Sequence, residues 1–374
     1  MMRVPQGEFE LERCPADSQL QAWDAADELL LEHLSQLDQL TPQSSVLILN
    51  DAFGALSVAL ADSATFFWND SFLSHKALTR NLQLNGYDPG QISTNSTIRF
   101  PEQGFDFVFL KVPKTAALLE HQLYAIRPLL HGDSLVIAAG MSRHIHTKTL
   151  NLFESLLGPS STTRAVKKAR LILVERDHSI NTGQSPYPDS YELEVDRVYR
   201  LHNHASLFSR EHLDAGTRKL IENIPLETQY ERIVDLACGN GVVGLVAALS
   251  HSAAKLTFCD ESYMAVESAR LNFEAAFHQQ RIAEFYVCDC LEKLNGNSSD
   301  LILLNPPFHQ SHVVSDNVAW QMFKQSRQVL QQGGALRIVA NRHLAHHTRL
   351  KKLFGNCQTV DADKRFVVLN AIKR

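Results

Sequence analysis

Asn305, Pro306, Pro307 and Phe308 follow directly on the apolar run Leu301-Ile302-Leu303-Leu304. An amide oxygen, a turn stiffened by two pyrrolidine rings and an aromatic face therefore sit together at the end of what reads as a buried strand. Such a set suits a flat amino-bearing group, for instance a nucleobase edge held in line with a methyl donor. A second set lies upstream, where Ile233-Val234-Asp235-Leu236 reads as a strand and Ala237-Cys238-Gly239-Asn240-Gly241 as a tight loop leading into the apolar helix start Val242–Leu249. The loop lacks the three-glycine pyrophosphate pattern and has no Lys-Ser/Thr, so phosphate is a poor match for it. Asp260 and Glu261, at the end of the next strand, offer acceptors for a ribose diol. Asp289, within Tyr286-Val287-Cys288-Asp289-Cys290, stands at a further strand end and suits an adenine amino group. Taken in order, these groups outline a nucleoside that carries no phosphate charge. Each acid also has a plainer use: Asp260 can cap a helix starting near Ser262, and Asp289 one starting at Leu291.

The elements that must position these residues occur twice. Val46-Leu47-Ile48-Leu49, the loop Asn50–Gly54 and the helix start Ala55–Leu60 repeat the strand, loop and helix of the second half. Phe67-Trp68-Asn69-Asp70 matches Thr257-Phe258-Cys259-Asp260, each followed ten positions on by an arginine, Arg80 or Arg270. Phe105–Lys114 matches the stretch from Ser299 through Pro307, and Ile126–Ile137 matches Val329–Ile338. Gly54 and Gly241 lie 187 positions apart and Asp70 and Asp260 lie 190 apart, near-equal shifts that indicate a tandem duplication. Short apolar strands alternating with helical stretches imply α/β architecture with parallel, doubly wound sheets, which bind ligands at the carboxyl ends of their strands. The joint falls between Arg176 and His204, around the turn-rich Asn181–Ser190, with Tyr191–Val195 a strand adjoining the first domain's end. The division is drawn as 1–190 and 191–374. At the front, Asp17–Leu37 has the spacing of a helix packed on the first sheet.

A chain of 374 residues accommodates two domains of ordinary size. Its 44% hydrophobic and 21% charged residues are globular values, and its apolar runs are strand-sized, well short of a membrane span of ~20 residues. With no secretory signal visible behind Met1, a cytoplasmic location is expected. A net charge of −5 argues against indiscriminate coating of nucleic acid. Local basic clusters remain, at Arg164, Lys167, Lys168 and Arg170 and again from Arg342 to Lys352, and either can be a nucleic-acid contact or a solvated face. The six cysteines form no C-x-x-C pair, and Cys288-Asp289-Cys290 lacks the second ligand pair of a zinc site, so reduced thiols and no metal are expected. Of the 17 histidines only His309 adjoins the chemistry; His144, His146, His346 and His347 lack partners for a metal site.

The set Asp235-x-x-x-Gly239-x-Gly241, Asp260, Asp289 and Asn305-Pro306-Pro307-Phe308 resembles the class I S-adenosylmethionine-dependent methyltransferases that modify exocyclic amines. Phe208-Ser209-Arg210 with Leu213-Asp214-x-Gly216-Thr217 resembles the segment that these enzymes fold over the methionine end of the cofactor. The duplicated plan, with Asn305–Gln310 running on to Asp316-Asn317-Val318-Ala319-Trp320, is similar to the bacterial ribosomal RNA guanine-N2 methyltransferases over essentially the whole chain, the large-subunit branch first and the small-subunit branch next. The resemblance implies two tandem Rossmann-like domains, the first degenerate, and S-adenosylmethionine held by Asp235, Ala237, Gly239, Gly241, Asp260, Glu261, Asp289 and Thr217. It implies that Asn305, helped by the Leu304 carbonyl, accepts from the guanine amine while Pro306 and Pro307 fix the turn and Phe308 stacks on the base. The expected partner is 23S ribosomal RNA, protein-free or in an early assembly intermediate, met by a monomer away from any membrane. Alternatives are a 16S guanine, a glutamine side-chain amide in a protein, and a non-catalytic RNA-binding protein on a retired methyltransferase fold.

A guanine amine is a poor nucleophile because its lone pair is delocalised into the ring. Acceptors on its N–H groups hold it at attack distance and favour a pyramidal nitrogen, and no strong base is needed because the proton turns acidic once the methyl has transferred. A stacked target base must be single-stranded or flipped out of its helix. The first half departs from the set: Ile48 replaces Asp235, Ala52 replaces Gly239, Phe53 replaces Asn240, and Lys111-Val112-Pro113-Lys114 replaces the Asn-Pro-Pro-aromatic turn. That half is expected to bind no S-adenosylmethionine and to recognise RNA or support the other half, with Lys111, Lys114 and Arg164–Arg170 open either to phosphate or to solvent.

Overall fold

Each half folds into a seven-stranded sheet of the same strand order. In the computed structural model, which describes residues 1–17, 19–95, 98–278, 280–307 and 312–374, the chain divides into compact units Met1–Tyr187 and Pro188–Arg374. The first unit opens with the hairpin β1 (Met2–Val4) and β2 (Gly7–Phe9), followed by α1 (Ala25–Leu34), β3 (Ser45–Leu49), α2 (Ala55–Ala59), β4 (Ala64–Trp68), α3 (Phe72–Leu84) and β5 (Ser93–Thr94). It continues through β6 (Phe105–Lys111), α4 (Ala116–Ile126), β7 (Leu130–Met141), α5 (Thr147–Leu156), β8 (Ser160–Thr162) and β9 (Ala169–Val174). The second unit opens with the hairpin β10 (Asp189–Glu194) and β11 (Val198–Asn203), then α6 (Ala215–Ile221), β12 (Arg232–Leu236), α7 (Val242–Ser250), β13 (Lys255–Asp260), α8 (Tyr263–Phe277) and β14 (Ala283–Val287). Next come β15 (Ser299–Leu304), α9 (His312–Val329), β16 (Leu330–Asn341), α10 (His346–Phe354), β17 (Gln358–Ala362) and β18 (Phe366–Ile372).

The sheets run β5-β4-β3-β6-β7-β9-β8 and β14-β13-β12-β15-β16-β18-β17, parallel except where the last strand pair turns back. In the second unit the chain steps outward from β12 to β14 and then returns to the other side of β12 as β15. That reversal leaves the crevice of a doubly wound sheet at the carboxyl ends of β12 and β15, where Leu236 pairs with Leu304. All six residues of β15 are buried, as expected of a strand covered on both faces. Ile233, Leu301 and Leu303 face one apolar layer with α7 and α8, while Val234, Leu236, Ile302 and Leu304 face the other with α9 and α10. Each fully buried Leu or Ile contributes about 1.5–3 kcal/mol relative to exposure, so this alternation pins the strand ends on which the motifs stand.

Three expectations change. The front helix is α1 alone, shorter than Asp17–Leu37, because Asp24 caps it by accepting from the N–H groups of Ala26 and Asp27. Tyr191 and its neighbours belong to the second unit, for β10 pairs along its whole length with β11 and buries Leu193 beside Tyr199 and Leu201; the units part between Tyr187 and Pro188, inside the expected Arg176–His204 joint and just ahead of the division drawn after residue 190. The duplication is also one residue out of step at the second strand. Leu49 pairs with Trp68 and Leu236 with Cys259, so Asn69, not Asp70, occupies the place of Asp260.

Candidate active site

Three positive-φ residues shape the loop after β12: Ala237 (φ 56°), Gly239 (φ 54°) and Gly241 (φ 76°). A Cβ on Gly241 would stand 2.7 Å from the Cβ and 2.9 Å from the Cα of Ala269, so only glycine lets α8 approach the start of α7. Gly54 meets Leu78 in the same way in the first unit. Gly239 differs, since nothing lies within 4 Å of where its Cβ would project, and its bare backbone faces open space. Its N–H donates to Asp260 Oδ2 at 3.0 Å, while Asp260 Oδ1 accepts from the Ser262 N–H at 3.1 Å. Burial raises the Asp260 pKa above the usual range for aspartate, against the backbone N–H groups of Gly239, Ser262 and Glu261, which lower it. The cap of α8 is Ser262 itself, which accepts from the Ala265 N–H.

Asp235 lies lower in the fold. It is buried, accepts from the Gly244 N–H at 2.8 Å, and burial pushes its pKa well up. Its observed contact anchors the first turn of α7. Asp289 caps no helix, because a turn follows it; its Oδ1 accepts from Gln321 of α9 at 3.0 Å. Glu261 is half-buried beside Asp260. The six cysteines are unpaired by disulfides, and Cys238, Cys259, Cys288 and Cys290 are buried.

Asn305 continues β15 into the crevice. Its Nδ2 donates to Thr217 Oγ1 at 2.9 Å, and Thr217 is tied through both its N–H (3.0 Å) and its hydroxyl (3.4 Å) to Asp214 Oδ2, the cap of α6. Asn305 Oδ1 is buried and meets no hydrogen-bond donor among the described residues. An orphaned buried acceptor costs about 1–3 kcal/mol, so this oxygen is an open demand for a donor. Pro306 is buried and Pro307 exposed. Phe308 and His309 lie outside the described residues.

Sequence reasoning missed Asn240, Asn272, Tyr191 and Asn203. Asn272, buried on α8, donates to the carbonyls of Asn240 and His202 and accepts from the His202 N–H, joining the glycine loop to β11. Asn240 donates in turn to the Tyr191 hydroxyl and to Asn203 Oδ1. A signal was present, because Asn81 of the first unit makes the matching bonds to Phe53 and Glu12, and both asparagines stand ten positions after a capping serine, Ser71 or Ser262. Asn272→Leu is expected to leave these backbone groups unpaired, at about 1–3 kcal/mol each. The loop loosens as a result, so a calorimetric titration with cofactor should show weakened affinity, and unchanged affinity would contradict this role.

The first unit keeps the frame and changes the groups. Asn69 Oδ1 accepts from the Ser71 N–H as Asp260 does from Ser262, but its other terminus is an amide donor, directed at the Asp51 carbonyl at 3.5 Å. Ile48 stands at the place of Asp235, and Asp51 in the loop accepts from the Ser57 N–H instead. Lys111, at the place of Asn305, is half-buried and paired with Asp24 at 2.7 Å and Asp27 at 2.5 Å. Its ammonium is thereby committed to carboxylates, where both phosphate and plain solvation were open for Lys111. Lys167 of the basic cluster pairs with Glu28 at 2.7 Å on the surface.

A sheet of this order with a glycine loop after its first strand, an acid ending its second and Asn-Pro-Pro after its fourth defines a class I methyltransferase unit, here the second; the first repeats the sheet order without the acid or the Asn-Pro-Pro turn. A Methyltransferase small domain model matches residues 198–370, and an RLMG N-terminal domain model matches residues 1–178. The chain belongs to the ribosomal RNA large subunit methyltransferase G family: it is 43% identical over 380 aligned residues to Ribosomal RNA large subunit methyltransferase G of Streptomyces coelicolor, covering 100% of both chains. Among solved structures, the Thermus (T. thermophilus) 16S rRNA N2 G1207 methyltransferase RsmC, in complex with AdoMet and guanosine, shares the fold with a TM-score of 0.77 at 22% identity, over 94% of this chain and 92% of that one.

Proposed function

We propose that the second unit transfers a methyl group from S-adenosylmethionine to the exocyclic N2 of a guanine in 23S ribosomal RNA. The observation that carries this reading is the Oδ1 of Asn305 at the switch of the sheet, buried and without a partner among the described residues. The 43% identity to a large subunit methyltransferase supports the choice of RNA. The donor set also fits the cofactor. Gly239 presents open backbone, Asp260 and Glu261 present carboxylates where a ribose diol is bound in such sheets, and Asp289 presents one at the next strand end. When bound, S-adenosylmethionine supplies an electrophilic methyl on a sulfonium.

The protein's part is positioning. Asn305 accepts from one amine N–H, which draws the nitrogen lone pair out of conjugation and aims it. Leu304, directly before it, is proposed to offer its carbonyl to the other N–H, with Pro306 and Pro307 fixing the turn and Phe308 stacking on the base. No buried general base is required, because the methylated amine gives its proton to water. Asp235, Ala237 and Gly241 act on the cofactor through the shape of the loop they hold.

The first unit is proposed to bind no S-adenosylmethionine and to serve RNA recognition or support. Asn69 places a donor where a ribose acceptor is needed, and Lys111 with Asp24 and Asp27 fills the place of the amine-binding amide. No described helix is long and apolar enough to cross a membrane; action as a cytosolic monomer on protein-free RNA or an early assembly intermediate completes the proposal. Labelled cofactor incubated with separate pools of protein-free 23S RNA, 16S RNA and assembled subunits should label the 23S RNA. Label entering protein and no RNA would sink the proposal.

A further inference from the structure

We infer that Thr217, held by Asp214, is a positioning residue that sets which way round the Asn305 amide faces, and so turns its oxygen toward the amine. The inference rests on the proposed guanine chemistry and deepens it. An asparagine side chain can be rotated by half a turn with almost no change in shape, yet the two orientations are chemically opposite: one offers the amine an acceptor, the other a repelling NH₂ group. Something must therefore choose between them.

The hydroxyl of Thr217 makes that choice. Its proton points to Asp214 Oδ2 at 3.4 Å, the oxygen that also receives the Thr217 N–H at 3.0 Å. An ionised carboxylate only accepts, so the hydroxyl is left with lone pairs for its other neighbour. That neighbour is Asn305, 2.9 Å away, and only its NH₂ end can donate there. The amide oxygen is thereby turned from Thr217 into the position where it is buried and without a partner among the described residues. Reversing the amide would require the hydroxyl to leave Asp214 and donate to Asn305 instead.

The duplicated unit supplies an independent observation. Asp24 caps α1 as Asp214 caps α6, and Asp27 lies three residues on, as Thr217 does. Lys111, following the fourth strand's register as Asn305 does, reaches Asp27. Both units thus couple the third residue after a capping aspartate to the residue at the tip of the central strand, but only the second does so through a hydroxyl that leaves an amide oxygen free.

Steady-state kinetics on protein-free 23S RNA, with calorimetric titration of S-adenosylmethionine, tests the role. Thr217→Val should lower kcat by about 10–100-fold with cofactor affinity within about twofold, while Thr217→Ser, which keeps the hydroxyl, stays near wild type. Thr217→Ala carries the same expectation as valine should the valine variant not fold. An unchanged kcat in the valine variant, a loss confined to cofactor affinity, or an equal loss in the serine variant would each overturn the inference. Wild-type enzyme that labels no guanine N2 would instead overturn the functional proposal, so the two failures are distinguishable.

Discussion

Asn305→Ala is expected to abolish methyl transfer, lowering kcat by at least about 10²–10³-fold, the range seen when a single preorganised polar group is removed from a reacting centre. Affinity for S-adenosylmethionine should change little. The reason is placement: the groups that suit the cofactor hang from the loop after β12 and the ends of β13 and β14, whereas Asn305 follows β15 and gives its amide N–H to Thr217. Alanine removes a buried acceptor that meets no donor among the described residues and leaves the Gly239–Asp260 contact intact. Single-turnover kinetics with an independent binding titration separates the two effects. A large loss of cofactor binding would show that Asn305 belongs to the cofactor site.

Lys111→Ala, in the first unit, is expected to destabilise that unit by about 3–5 kcal/mol, the usual consequence of removing one partner from a buried ion pair. Lys111 and Asp27 expose only 14% and 7% of their side chains, so little solvent is present to take over. For a unit of this size the loss corresponds to a fall in Tm of about 10 °C. The deficit should vary with pH. Burial pushes the Asp27 carboxyl up to about 6 even with Lys111 beside it, and removing the lysine pushes it higher. The folded variant then holds a proton that the unfolded chain releases near pH 4, so stability falls as pH rises through and above 6. Thermal melts should accordingly show the largest deficit at pH 8 and a smaller one near pH 5. Lys111→Asn combined with Asp27→Thr, which installs the second unit's pair, should recover much of the loss. A single variant that melts like wild type at every pH would contradict the buried-pair account.

Much of this was legible in the chain because parallel α/β sheets write their strands as apolar runs and their sites as the residues just beyond them. The strand-end positions of Asp260, Gly239 and Asn305 were legible that way, as was the duplication. What escaped needed partners distant in sequence. Matching acid to acid placed Asp70 on Asp260, but strand pairing fixes Trp68 against Leu49 and Cys259 against Leu236, which puts Asn69 there. Lys111 reads as a free cation until α1 brings Asp24 and Asp27 onto it. Thr217 enters the site by resemblance alone, and its bonds to Asp214 and Asn305 show only once α6 is placed beside the end of β15. Asn272 sits in a helix whose buried face is otherwise mostly apolar, and only its match to Asn81 in the duplicate marks it.

The central claim is that the amide oxygen of Asn305 presents a guanine amine to the methyl donor. Transfer of labelled methyl to protein-free 23S RNA, followed by digestion to nucleosides and identification of the labelled product, tests it most directly. The account expects N2-methylguanosine as the labelled nucleoside with wild-type enzyme and none with Asn305→Ala; label on another base or ring position, or undiminished N2-methylguanosine from the alanine variant, would contradict it.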